Sequence, residues 1–152
     1  MSRGLNKVMI IGFVERDQEM RYTADGQPVT SFTVSTNRRW TTDAGKTRES
    51  TEWFTVVAWG SLALSAHQRI QKNQRIYAEG YLQTRKWKDA DGESHYRTEV
   101  VANKFIPMDV RDALPQANLE ANDEETPLCL NRAMVIGNLG RDPEMRYTPD
   151  GQ

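Results

Sequence analysis

Four tryptophans, Trp40, Trp53, Trp59 and Trp87, are the side chains of this 152-residue chain best suited to stacking chemistry. Two of them stand among cations. Trp40 follows Arg38 and Arg39 in a stretch that also holds Lys46 and Arg48, and Trp87 is flanked by Arg85, Lys86 and Lys88. An indole offers a flat π-face to a nucleic-acid base, and a guanidinium or ammonium offers a charge to a phosphate. Stacking one unpaired base on an aromatic side chain is worth about 1–3 kcal/mol, whereas bases of a duplex are already stacked. The chemistry to expect of these residues is contact with a single strand, provided that the rings lie outside the core.

Strand periodicity bears on that condition. In "TEWFTVVAWG" (51–60) alternation puts Trp53, Thr55, Val57 and Trp59 on one face and Phe54, Val56 and Ala58 on the other. With Phe54, Val56 and Ala58 facing the core, both tryptophans point outward. In "QRIYAEGYLQTRKW" the core set is Ile76, Ala78, Gly80 and Leu82, so Arg85 and Trp87 share the outer face with Tyr77, Glu79, Tyr81 and Gln83. Exposed rings on this scale imply something that covers them. The bland reading, with Trp53 and Trp59 in the core and Trp40 and Trp87 as edge plugs, has to hold at all four positions at once.

Catalysis finds little support. His67 and His95 have no metal-ligand spacing to each other or to Cys129. There is no phosphate loop and no serine elbow. Asp17 and Glu19, beside Arg16 and Arg21, suit surface ion pairs better than an acid/base pair. A non-enzymatic chain without metal or cofactor is expected.

The elements that must position the tryptophans read as strands with one helix. "NKVMIIGFV" and "EMRYT" suggest a long bent first strand, followed by a turn at "ADGQP" and an alternating second strand "VTSFTVSTN". "RRWTTDAGKTRES" reads as a loop with Trp40 inside it, and the 51–60 stretch as a third strand. "SLALSAHQRIQKN" reads as a helix with Ser61 as its N-cap. A fourth strand, a hairpin tip at "KDADGES" and a fifth strand, "HYRTEVVANKFI", complete the series. The fold class expected is all-β: a five-stranded OB-fold barrel with one short helix between strands 3 and 4.

Charge is uneven along the chain. Residues 1–111 carry 17 basic against 13 acidic residues, residues 112–127 none against five, and residues 128–152 three of each. A basic body with an acidic linker suits a polyanionic partner. The lone Cys129 fits a reducing cytoplasm, and no apolar run approaches the roughly 18 residues of a membrane span.

The end of the chain repeats its beginning. "LNRAMVIGNLGRDPEMRYTPDGQ" (130–152) matches "LNKVMIIGFVERDQEMRYTADGQ" (5–27) at 15 of 23 positions with a constant offset of 125. Chance does not produce that, so it is the start of a second copy. Three regions are expected: an OB-fold domain at 1–108, an acidic flexible linker at 109–127, and a partial second OB repeat at 128–152. Such a fragment has no core of its own. It is expected to be disordered or to add to a sheet edge in another copy of the chain.

"RGLNKVMIIG", "EMRYTADGQPV", "STEWFTVVAWG", "IYAEGYLQTRKWKDADG" and "YRTEVV" together resemble the bacterial and mitochondrial single-stranded DNA-binding protein family over residues 2–108. The resemblance implies an OB-fold that assembles as a homotetramer, wraps single-stranded DNA without sequence preference and protects it in replication, recombination and repair. It places base stacking on Trp40, Trp53, Trp59 and Trp87, the position of Trp59 often being phenylalanine in the family. It places phosphate contacts on Arg3, Lys7, Arg21, Lys72, Arg85, Lys86, Lys88 and Arg97. Arg38 and Arg39 join this set from their place beside Trp40. Phe54 stands where the family commonly has histidine near a subunit contact. The usual acidic tip with a terminal phenylalanine, which recruits replication and repair proteins, is not in this sequence. The duplicated start resembles the subgroup with two OB domains per chain, so a two-domain protein cut short is the simplest account.

Two rivals come with that reading. One is an OB-fold protein-interaction module of a replication-restart complex, in which the aromatics meet protein. The other is an RNA-binding OB module, distinguished by contacts to the 2′-hydroxyl.

Overall fold

The computed structural model describes residues 4–16, 18–108 and 129–151. The element order is β1 (Leu5–Val14), β2 (Glu19–Tyr22), β3 (Pro28–Thr41), β4 (Thr47–Trp59), α1 (Gly60–Arg69), β5 (Arg75–Lys88), β6 (Ser94–Met108) and β7 (Leu130–Ile136). The strands form one sheet in the order β2-β3-β4-β6-β5-β1-β7. The sheet curls back on itself where β1 also meets β3, at Phe13 opposite Ser35 and Val14 opposite Val34. A short parallel pairing of β4 with β6, at Val56–Val100 and Val57–Val101, joins the other side. This is the expected OB-type arrangement, all-β with one helix between the third and fourth barrel strands, although both junctions are only two residue pairs wide.

The long bent first strand is interrupted. β1 leaves the edge of β5 and runs onto the edge of β3, and β2 continues along that same edge from Glu19 opposite Ser31 to Tyr22 opposite Pro28. Between them the Glu15 N–H donates to Thr33 O at 2.9 Å and the Gln18 side-chain amide donates to Ile70 O at 2.5 Å. Gly12 sits where β1 crosses β3. A Cβ there would lie 2.2 Å from the Ser35 carbonyl oxygen, so the crossing excludes any side chain. Gly80 in β5 is equally constrained: its Cβ would meet the Val101 carbonyl oxygen at 1.9 Å.

One face of each strand supplies the core. Val8, Ile10, Val14, Phe32, Val34, Val56, Ile76, Ala78, Val100 and Phe105 are buried together, with Ala66 and Ile70 of the helix region closing one end. The helix starts two residues earlier than an N-cap at Ser61 would have it. Trp59, not Ser61, is the N-cap residue, and no side chain caps it. Gly60 takes φ +59°, a conformation cheap only for glycine, which lets the chain turn from strand into helix without a capping side chain.

"RRWTTDAGKTRES" is not a loop. β3 and β4 pair without a break from Val29–Trp59 to Thr41–Thr47, so only 42–46 remain as a turn, closed by the Thr42 N–H on Lys46 O and by Gly45 at φ +74°. The segment carries no apolar alternation because it extends past the barrel as a two-stranded arm with no core beneath it. β5 and β6 form a second arm of the same kind, from Gln83–Glu99 to Lys88–Ser94.

The segment 130–136 is ordered as β7, and the edge that it joins is that of β1 in its own chain. The expected linker at 109–127 lies outside the described residues.

Candidate nucleic-acid interface

Cross-strand partners point to the same side of a sheet, so register assigns every side chain of the two arms to a face. On β4, Trp53, Thr55, Val57 and Trp59 lie opposite Ser35, Thr33, Ser31 and Val29. On β5 and β6, Tyr81, Gln83, Arg85 and Trp87 lie opposite Val101, Glu99, Arg97 and His95. The Val57–Val101 pairing makes these two sets one outer surface. Trp53, Trp59 and Trp87 share it at 66 %, 41 % and 45 % exposure, while Val56 and Ala58 are fully buried on the opposite face.

Trp40 has a different place. It faces Arg48 across the β3–β4 arm and shares its side with Arg38 and Glu52, the side that continues into the core set of Phe32 and Val34. It is still 39 % exposed, because the arm has left the barrel at that point. The Arg38 guanidinium lies 5.2 Å over its ring. The structure therefore brings three of the four tryptophans onto one surface and sets Trp40 apart.

The expected phosphate contacts divide by their partners. Lys7 is bound by Glu79 at 2.9 Å, Arg21 by Glu19 at 2.7 Å, Arg39 by Glu49, and Arg85 more loosely by Glu99 at 3.8 Å. Among the described residues Arg38, Lys72, Lys86, Lys88 and Arg97 have no carboxylate within ion-pair distance. The Lys86 ammonium lies 5.3 Å from the centre of the Tyr96 ring instead. Arg3 lies outside the described residues. A cation with no carboxylate is free to take a phosphate, whereas a paired one must first exchange its partner.

Two further exposed rings accompany the predicted site residues. Tyr81, 41 % exposed, stands on the outer surface, and Tyr96, 64 % exposed, pairs with Lys86 and so lies on the other side of the arm. The alternation that puts Trp87 outward also put Tyr81 there, and Tyr96 could have been found by pairing "TRKWK" against "SHYRT". Glu99 is nearly buried on the outer surface beside Arg85 and Arg97, which tempers the positive charge there.

The tip of the β5–β6 arm holds Asp89, Glu93 and His95 with ligand-type atoms within 4.8 Å of one another. The Asp89 carboxylate is already engaged by its own turn and by His95. Asp89 Oδ1 accepts the N–H groups of Asp91 and Glu93, and its Oδ2 lies 2.6 Å from His95 Nε2. These bonds, that of His95 foremost, hold the Asp89 carboxyl below the ordinary carboxylate range. His95 in turn stacks on Trp87, with 5.6 Å between ring centres, so the tip fixes the orientation of that indole. Among the described residues no helix is long and apolar enough to cross a membrane.

With this geometry in place, the sequence model of the single-strand binding protein family matches residues 5–108. This chain belongs to the single-strand binding protein family. Its matched region contains both arms and all four tryptophans. The chain is 43 % identical over 114 residues to single-stranded DNA-binding protein 1 of Chlorobaculum tepidum, covering 74 % of this chain and 70 % of that protein. Its structure is similar to that of the single-stranded DNA-binding protein of Thermus aquaticus. A deletion variant of that protein gives a TM-score of 0.80 at 32 % identity, and the wild type 0.77 at 31 %. Both likenesses cover 99 % of this chain, which spans 66 % and 65 % of the two Thermus chains. A Plasmodium falciparum SSB in complex with single-stranded DNA is similar over 72 % of this chain, with a TM-score of 0.64 and 27 % identity.

Proposed function

We propose that this family member binds and protects single-stranded DNA without reading its sequence, in replication, recombination and repair. The observation that carries the reading is the single outer surface on which Trp53, Trp59 and Trp87 stand together, with Arg97, a cation without a carboxylate in ion-pair distance among the described residues, on the same face. Bases stack on the indoles, and Arg38, Lys72, Lys86, Lys88 and Arg97 take phosphates directly. Lys7, Arg21, Arg39 and Arg85 contribute by exchanging a carboxylate for a phosphate. Arg3 belongs to the same set on the resemblance. Affinity built this way carries no base-edge contacts and falls with salt, by about 0.7 in log–log slope for each phosphate neutralised on a single strand. Four OB domains per assembly in the cytoplasm, on exposed strands of the nucleoid, are the corresponding quaternary state and place.

The test is a titration with oligo(dT), following tryptophan fluorescence at low and high salt with duplex DNA as control. Deep quenching by the single strand alone, weakening with salt, is the expected result. A folded chain whose fluorescence ignores the single strand would transfer the aromatic surface to a protein partner.

A further inference from the structure

β7 does more than cover an edge. It forms one wall of a groove of about 700 Å³ whose other wall is the β3–β4 arm. Arg38, Trp40, Glu52 and Phe54 line the arm side, and Asn131 and Arg132 line the β7 side. Ligand sites fall in the range of about 300–1,000 Å³, so the groove has room for a nucleotide unit.

We propose that the second-copy strand β7 completes a nucleotide site at Trp40, with Arg132 as its phosphate-binding residue. The proposal rests on the single-strand reading given above and extends the bound strand onto a segment outside the matched region 5–108. Three observations support it. The Arg38 guanidinium already covers one side of the Trp40 ring, so a base stacking on the other side finds a ring fixed in orientation. Without β7 the charges of the groove cancel, Arg38 against Glu52; Arg132 makes its formal charge positive. Arg132 is also the copy of Lys7 at the 125-residue offset, and the two differ in their freedom. Lys7 is held by Glu79 at 2.9 Å, whereas Arg132 has no carboxylate within ion-pair distance among the described residues. Asn131 adds a side-chain amide on the same wall, suited to a phosphate or sugar oxygen.

The experiment uses the full chain and oligo(dT) titrations over a range of salt concentrations, comparing wild type with Arg132→Ala and Arg132→Lys. The expected result is that Arg132→Ala binds several-fold more weakly at low salt, with a log–log salt slope shallower by about 0.7, the loss of one phosphate contact. Arg132→Lys, which keeps the charge, is expected to retain the slope. A wild-type slope in Arg132→Ala overturns the site. So does an Arg132→Lys chain that loses as much as Arg132→Ala, since the side chain would then act through packing of β7. A wild-type chain that ignores oligo(dT) overturns the single-strand reading itself and the site with it, and that outcome is distinct because it appears before any substitution.

Discussion

Val8 and Ala133 stand opposite each other in the β1–β7 ladder, and Ala133 is the residue that the 125-residue repeat maps onto Val8. The relation holds along the whole pairing. Leu5 faces Ile136, the copy of Ile11, and Ile11 faces Leu130, the copy of Leu5. Two copies of one strand thus pair about a local two-fold axis through Val8 and Ala133. Antiparallel pairing permits this because its hydrogen-bond pattern reads the same from either strand.

A strand that pairs with its own copy can pair with itself. Ending the chain after residue 128 removes β7 and leaves the β1 edge from Leu5 to Ile11 open. The truncated chain is expected to self-associate more strongly than the full chain, seen as a mass distribution in sedimentation velocity that shifts upward with concentration. Matching distributions for the two chains would show that this edge recruits no second strand.

Trp53 is the most exposed of the four indoles, and its strand neighbours Glu52 and Phe54 face the other side of the sheet. Trp53→Ala is expected to weaken oligo(dT) binding by about 1–3 kcal/mol while moving stability by no more than about 0.5 kcal/mol. Ile10→Ala, at a fully buried position, is expected to cost about 2–5 kcal/mol of stability instead. Thermal melts run beside the titrations separate the two effects, and a Trp53→Ala chain that melts like Ile10→Ala would make Trp53 part of the core.

Gly80 faces Val8 on one side, and on the other the backbone of β6 comes too close for a side chain. β6 carries an extra residue at this point, Asn103, between the partners of Glu79 and Gly80. Since the obstacle is a carbonyl and not the flexible end of a side chain, Gly80→Ala is expected to destabilise by about 1–3 kcal/mol. Urea unfolding reads this directly, and an unchanged midpoint would mean that the bulge relaxes freely.

Glu79 accepts the Tyr77 hydroxyl at 2.6 Å and the Lys7 ammonium at 2.9 Å. The Tyr77 bond first, and Lys7 second, hold its carboxyl below 4.5, and the same carboxylate pushes the Tyr77 phenol above 10.0. A lowered carboxyl stabilises the fold above its ordinary value and loses that contribution as pH falls through the lowered one. A raised phenol stabilises below its ordinary value and loses its contribution as pH rises through the raised one. The difference in Tm between wild type and Glu79→Gln is therefore expected to be greatest between pH 4.5 and 10.0 and to shrink outside that window. A difference that is constant across pH would show that Glu79 contributes without its charge.

The outward placement of Trp53 and Trp59 was legible in the sequence because the core lies beneath the other face of their strand, and that of Trp87 because its strand keeps the phase set by Ile76 and Ala78 in its buried half. Burial imposes the two-residue period, and the period reveals the face. Trp40 was not legible in that way. Its strand has left the barrel, so neither face of the arm is buried and polar residues stand on both. Only the pairing with Arg48 shows that it is in a strand at all.

The all-β order, the helix between the third and fourth barrel strands, the core faces of those two strands and the existence of a second copy follow from the order of the amino acids alone. All of these are written in local periods or in direct repetition. Tertiary structure alone decided that β1 crosses from β5 to β3 at Gly12, that the region around Trp40 is an arm and not a loop, and that the second copy lies on β1 of its own chain. The physical reason is the same in each case. A backbone edge offers its N–H and C=O groups to any strand, whatever its side chains, so which edges meet is settled by register and space in the folded molecule.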